Sequence, residues 1–210
     1  MPVDAGVSRD GVVFQREQYA KGGLGRKYWD FRDENIISAI GDGGSILDVG
    51  CGEGLLLEKV VHRFPGRNVR GVDIDPLNIS ICREHGLHVD EGVVYSLPYE
   101  DGSFDVALFI EVVEHLDEPI RAIAEIGRVL KKGGRMLVLF PNDRTFKLAR
   151  VMTLMFKEAF YDPGHLKQWT PREMKAALEQ NGFRVLGHKN MPLPLFSLCL
   201  HCLVVAEKAG

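Results

Sequence analysis

Ile46-Leu47-Asp48-Val49-Gly50-Cys51-Gly52-Glu53-Gly54 is the stretch on which the fold turns. The run Ser45–Val49 is apolar apart from Asp48 and its opening serine, the pattern of a strand buried on both faces. It ends in glycines at alternate positions. A helical apolar spacing follows at Leu55, Leu56, Val60, Val61 and Phe64, as far as Pro65. Strand, glycine turn and helix in that order open a βαβ unit. Glycine lets the turn adopt positive φ and lets a ligand approach the backbone closely. In open α/β sheets, ligands bind at the carboxyl ends of parallel strands, which is where this turn lies.

The alternation continues outward. Val69–Asp73 reads as a second strand and Pro76–His85 as a second helix. Leu87–Asp90 is a short third strand. Phe104–Ile110, rich in β-branched and aromatic residues, is a fourth. Ile120, Ile123, Ala124 and Gly127 mark a helix running to Leu130. Gly133-Gly134 stop it before a fifth strand, Met136–Phe140. Thr170-Pro171-Arg172-Glu173 is a capping box with proline at the first helical position. Met174, Ala177 and Leu178 form the apolar stripe of that helix, and Asn181-Gly182 ends it. Phe183–Lys189 and Phe196–Glu207 read as the last strands. No helix fits between them, so the final strand is expected to run antiparallel.

Residues 1–44 are expected to form an N-terminal lid. In it Tyr28, Trp29 and Phe31 lead into a helix with apolar positions Ile36, Ile37 and Ile40. The domain proper is 45–210, with an insertion at 143–163. There Leu148, Val151, Met152, Met155 and Phe156 follow helical spacing, while Lys147, Arg150 and Lys157 lie off the stripe. Two readings of the insertion stay open: a helix packed on the sheet edge, or an apolar substrate mouth touching a membrane surface.

Composition limits the alternatives. With 45% apolar and 26% charged residues the chain is an ordinary globular one, which excludes disordered and collagen-like architectures. Lys and Arg number 26 against 29 Asp and Glu, so no basic footprint predicts nucleic acid as a partner. Cys51, Cys82, Cys199 and Cys202 are too scattered for a secreted disulfide scaffold. No signal sequence is visible, and the expected compartment is the cytoplasm. The most apolar stretch, Met191 to Val205, holds Pro192, Pro194 and His201 and is shorter than the ~20 residues of a membrane helix. Cys199 and Cys202 fall in an expected strand, where positions three apart face opposite ways. Neither a redox pair nor a metal site is expected there.

Gly71-Val72-Asp73 ends the second strand, roughly 20 residues after the glycine turn, where an acid can accept from both hydroxyls of a ribose. A dinucleotide fingerprint would need a third glycine at Leu55. The spacing is G-x-G-x-G instead, with Asp48 two residues before the first glycine. Further on stand Leu97-Pro98-Tyr99-Glu100-Asp101-Gly102-Ser103-Phe104-Asp105-Val106, Glu111-Val112-Val113-Glu114-His115-Leu116 and Leu130-Lys131-Lys132-Gly133-Gly134. With these the chain resembles the class I methyltransferases that use S-adenosylmethionine (SAM), in particular the ubiquinone/menaquinone-biosynthesis group. Phe140-Pro141-Asn142 and Tyr161-Asp162-Pro163 are similar to a methionine-biosynthesis-associated branch.

The resemblance implies a three-layer α/β Rossmann-like sandwich. Its seven-stranded, mostly parallel sheet has the order 3-2-1-4-5-7-6 and an antiparallel last strand. It implies SAM as cofactor, with Gly50, Gly52 and Gly54 against its amino-acid moiety and ribose, and Cys51 as a small filler in the same loop. Asp48 orients the loop and the ammonium group, and Asp73 holds the ribose. Ile74 lies against the adenine and Ile110 faces the methionine part, although both positions also suit plain core. Many relatives carry an acid where this chain has Val93. Valine cannot accept a hydrogen bond, so either adenine is left to backbone groups at Val93, Val94 and Tyr95 or the loop register differs. His115 and His165 are the candidate bases, each with a bland alternative as a turn or loop histidine.

The function implied is methyl transfer from SAM to a small apolar or aromatic acceptor, most readily at oxygen, by a monomer or homodimer. Three alternatives stay open. One is a catalytically silent SAM-fold binding or regulatory protein. Another is a metal-assisted RNA methyltransferase using Glu111, Glu114 and His115, with His165 able to complete the set, though no metal is expected. The third is a nicotinamide oxidoreductase.

Overall fold

A computed structural model describes residues 15–42, 44–142, 145 and 166–210. Strands β1 (Ser45–Val49), β2 (Asn68–Asp73), β3 (Val89–Glu91), β4 (Phe104–Ile110), β5 (Leu130–Pro141), β6 (Phe183–Met191) and β7 (His201–Lys208) form one sheet. Its order is β3-β2-β1-β4-β5-β7-β6. β1 pairs in parallel with β2 and β4, and β4 with β5. β7 runs antiparallel to both β5 and β6. The helices described are α1 (Gln15–Ala20), α2 (Gly23–Ile40), α3 (Leu55–Arg63), α4 (Pro76–Glu84), α5 (Pro119–Val129) and α6 (Pro171–Gln180).

The central strands are apolar on both faces because helices cover both. Leu47, Ala107 and Phe109 pack with Ile123 and Ile126 of α5 and Met174 and Leu178 of α6. Their neighbours Ile46, Val106 and Leu108 point the other way, as the two-residue period of a strand requires. They pack with Ile36 and Ile40 of α2 and with Leu57 and Val60 of α3. Each fully buried side chain of this size contributes about 1.5–3 kcal/mol. Two helices of the 1–44 segment lie among the described residues. Of these, α2 belongs to the core, and α1 lies over the glycine turn.

Several boundaries move for identifiable reasons. The expected strand Phe196–Glu207 begins at His201, because Phe196–Leu198 form a 3-10 turn and Asn190 Nδ2 donates to the Pro194 carbonyl at 2.6 Å. Cys199 therefore precedes the strand and donates to the Phe196 carbonyl, while Cys202 lies within it. The strand expected at Leu87–Asp90 is Val89–Glu91, since the Leu87 amide is spent closing the end of α4 on the Cys82 carbonyl. β5 starts at Leu130 and passes through Gly133-Gly134, which bend the strand where they were expected to precede it. The capping box is formed: Glu173 N donates to Thr170 Oγ1, and Thr170 N donates to Glu173 Oε2.

Among the described residues, no helix is long and apolar enough to cross a membrane. The 143–163 insertion lies almost wholly outside the described residues, Thr145 excepted.

Candidate active site

The turn after β1 is tied to the end of β2. Gly50 N and Cys51 N donate to the Val72 carbonyl, at 2.8 and 3.2 Å. Gly52 N donates to Asp73 Oδ2 at 2.8 Å. The other oxygen, Oδ1, accepts from Asp75 N at 2.9 Å and from Asn78 Nδ2 at 3.3 Å. Asp73 thus fixes the glycine turn and the start of α4 at once. Gly50 has φ 72, and a Cβ there would sit 2.7 Å from a methyl of Val112. Around Gly52 the space is open, with only Gln15 at 3.9 Å from where a Cβ would stand.

Gly50 borders two cavities. One, of about 460 Å³, is lined by Val72, Asp73, Ile74, Val93, Val94 and His115, among others. The smaller, of about 110 Å³, is lined by Trp29, Arg32, Asp48, Gly52, Ile110 and Glu111, among others. Ile74 is 58% exposed, so it is a rim residue and not core. Ile110 is half-buried on the Arg32 side. His115 is exposed on the 3-10 turn Val113–His115 and lines the Asp73-side cavity. His165 lies outside the described residues.

Cys51 points inward from the turn. Its sulfur packs between strand and helix, 2.8 Å from where a Cβ on Gly71 would stand. A hydrogen bond with Cys82, then burial, push its thiol well above the ordinary range. That suits a filler and not a nucleophile.

Tyr28, Arg32, Glu53 and His201 make contacts around the cleft that the sequence reading did not single out. Glu53 looks like an exposed turn residue but is buried. Its carboxylate accepts from Gln15 N and Arg16 N at 2.6 and 2.9 Å, capping α1 over the turn. Arg32 pairs with Asp33 and with Glu111. His201 Nε2 lies 2.7 Å from the second oxygen of Glu111, and its Nδ1 lies 2.7 Å from the Tyr28 hydroxyl. Burial alone would raise the Glu111 carboxyl, but Arg32 and then His201 outweigh it and hold it below the usual carboxylate range. Both oxygens of Glu111 are thus engaged. Among the described residues no His, Cys, Asp and Glu cluster is arranged to hold a metal ion. His165, which could complete the Glu111, Glu114 and His115 set, lies outside the described residues.

Asp48 is 3% exposed. Burial pushes its carboxyl up to about 7, Asp73 and Asp33 adding to the effect and Arg32 opposing it. Below pH ~4 the group is protonated in both folded and unfolded chains. Between there and about 7 only the unfolded chain ionises, so stability falls with rising pH and stays reduced above. Asp48→Asn is therefore expected to raise the melting temperature at pH 8. A gain of ~2 kcal/mol corresponds to ~4–8 °C. Melts across pH should show the gain shrinking towards pH 4, and a difference independent of pH would assign the titration elsewhere.

A mostly parallel sheet, a glycine turn after its first strand and an acid ending its second define a nucleoside-binding α/β domain. The family described as "Methyltransferase domain" matches residues 47–138. A probable S-adenosylmethionine-dependent methyltransferase of Mycolicibacterium smegmatis is 32% identical over 163 residues, 75% of this chain and 60% of the relative. A ubiquinone biosynthesis O-methyltransferase of Maricaulis maris is 31% identical over 190 residues, 80% of this chain and 72% of the relative. A SAM-dependent methyltransferase from Archaeoglobus fulgidus shares the fold, with TM-score 0.68 at 21% identity over 92% of this chain and 98% of that one. The chain belongs to the SAM-dependent methyltransferase family. It spans 60% and 53% of the length of the first curated relatives it matches.

Proposed function

We propose that the chain binds SAM across the glycine turn and directs its methyl group to an oxygen of a small apolar or aromatic acceptor. Asp73 is the observation that carries this reading. Its carboxylate ends β2, holds the Gly52 amide and borders the larger cavity. A carboxylate offers about four lone-pair sites, and the three donors already on Asp73 leave one for a ribose hydroxyl. The open space beside Gly52 and the apolar faces of Ile74, Val93 and Val94 fit a nucleoside. Charges of both signs on the Arg32 side fit an α-amino acid.

When bound, SAM supplies an electrophilic methyl group on a sulfonium. The chain's contribution is to hold donor and acceptor in line and keep water out, and orientation of this kind can supply ~7–11 kcal/mol of a barrier. His115 lines the cleft, and we assign it the acceptor's proton, since imidazole is suited to that exchange near neutral pH. The name of the Maricaulis relative supports oxygen as the target atom. The apolar lining at Val112 and Leu116 supports an acceptor without high charge.

The test is incubation with SAM and a panel containing a catechol, a phenol, a primary amine and a thiol, read by mass spectrometry for one added methyl group. Transfer to the catechol or phenol is expected. His115→Ala is expected to slow it while leaving S-adenosylhomocysteine affinity unchanged. Transfer confined to the amine or thiol would contradict the oxygen reading, and equal rates in the variant would remove His115 from the role.

A further inference from the structure

A closed circuit of side chains crosses the Arg32 side of the cleft. It begins on α2, where Arg32 pairs with Glu111 just beyond β4. Glu111 is bonded to His201, the first residue of β7. His201 returns the circuit to α2 through Tyr28, whose ring stacks on the imidazole at 5.7 Å between centroids and 18° between planes. Tyr28 and Arg32 stand four residues apart, on one face of the helix.

Two features say that this arrangement is held on purpose. Glu111 has φ 55 and is the one non-glycine residue with positive φ among those described. Such a conformation is uncommon outside glycine, asparagine and aspartate and persists where the surroundings enforce it. His201 is 1% exposed and lines neither cavity beside Gly50, so it can act only through the groups it touches. A carboxylate only accepts. In the neutral ring, Nε2–H therefore donates to Glu111 and Nδ1 accepts from Tyr28.

Arg32 and Glu111 border the smaller cavity together with Asp48. A guanidinium has five N–H donors, and the described carboxylates engaging it belong to Asp33 and Glu111. Donors remain for a third carboxylate, while the acids beside it suit an ammonium group. That pairing matches the zwitterion of an α-amino acid.

We propose that His201 is a positioning residue for the amino-acid end of the donor, acting through Glu111 to set the place of the Arg32 guanidinium. The proposal rests on the SAM reading above. Its test compares two probes by calorimetry. S-adenosylhomocysteine carries the amino acid, and 5′-methylthioadenosine carries the same nucleoside thioether without it. His201→Asn keeps a polar atom near the Nδ1 position but loses donation to Glu111. It is expected to weaken S-adenosylhomocysteine about tenfold and leave methylthioadenosine unchanged. His201→Gln, which places a donor near the Nε2 position, is expected to restore most of the loss.

Tyr28→Phe removes only a hydroxyl, so it keeps the proposal testable should His201→Asn fail to fold. It is expected to lower the first affinity about threefold, again without touching the second. Parallel loss of both probes, or an unchanged ratio in His201→Asn and Tyr28→Phe, would overturn the proposal. Wild-type protein that binds methylthioadenosine but not S-adenosylhomocysteine would overturn it as well. Failure of wild-type protein to bind either would overturn the SAM reading itself.

Discussion

Asp73→Ala is expected to lower S-adenosylhomocysteine affinity by about ten- to a hundredfold, because a hydrogen bond to a charged group contributes ~1.5–3 kcal/mol. The loss has two sources. One is direct, the acceptor for a ribose hydroxyl. The other is indirect: Oδ2 holds the Gly52 amide, and Oδ1 holds the start of α4 through Asp75 N. Asp73→Asn separates them. The amide oxygen can still accept from Gly52, and its NH₂ then faces the second set of donors. Affinity between wild type and alanine is therefore expected for the asparagine variant. Calorimetry with a thermal melt beside it decides the matter, and unchanged affinity in a folded alanine variant would remove Asp73 from the site.

Gly54→Ala should act on stability. Gly54 has φ 74, and a Cβ there would stand 2.6 Å from a methyl of Leu87 and 2.7 Å from the Cys82 sulfur. Left-handed backbone costs a non-glycine residue ~1–2 kcal/mol. Overpacking a core adds ~1–3 kcal/mol. A loss of ~2–5 kcal/mol is expected in urea denaturation. A loss below ~0.5 kcal/mol would mean that the turn has room to move. Gly66, at φ 84 with nothing within 4 Å of its Cβ position, is the control for the backbone term alone.

The parts of the site that are local in the chain could be read from the chain. Gly50 and Gly52 sit on one turn and Asp73 ends the next strand, so periodicity and spacing located them together, and the resemblance added Asp48 at the end of β1. Arg32, Tyr28 and His201 could not be found that way. Arg32 meets Glu111 79 positions later, His201 meets Glu111 across 90, and Tyr28 meets His201 across 173. The two pairings of His201 exist because β7 inserts between β5 and β6 and brings its first residue within reach of Glu111 and Tyr28, while Arg32 meets Glu111 from α2. Running the last strand back to Phe196 hid this by making His201 an interior strand position. Glu53 was missed for a similar reason. It is buried by α1, and nothing in the turn itself announces that cover. The left-handed backbone of Glu111 had no signal at all, since glutamate is not a residue that favours it.

The central claim is that the donor lies across the glycine turn, with its ribose on Asp73 and its amino acid towards Arg32. A crystal structure of the protein with S-adenosylhomocysteine tests it most directly. Density is expected past Gly50, with a ribose hydroxyl within hydrogen-bonding distance of the Asp73 carboxylate and the ligand carboxylate beside Arg32. Ligand bound elsewhere, or lying in this cleft with the ribose away from Asp73, would contradict it.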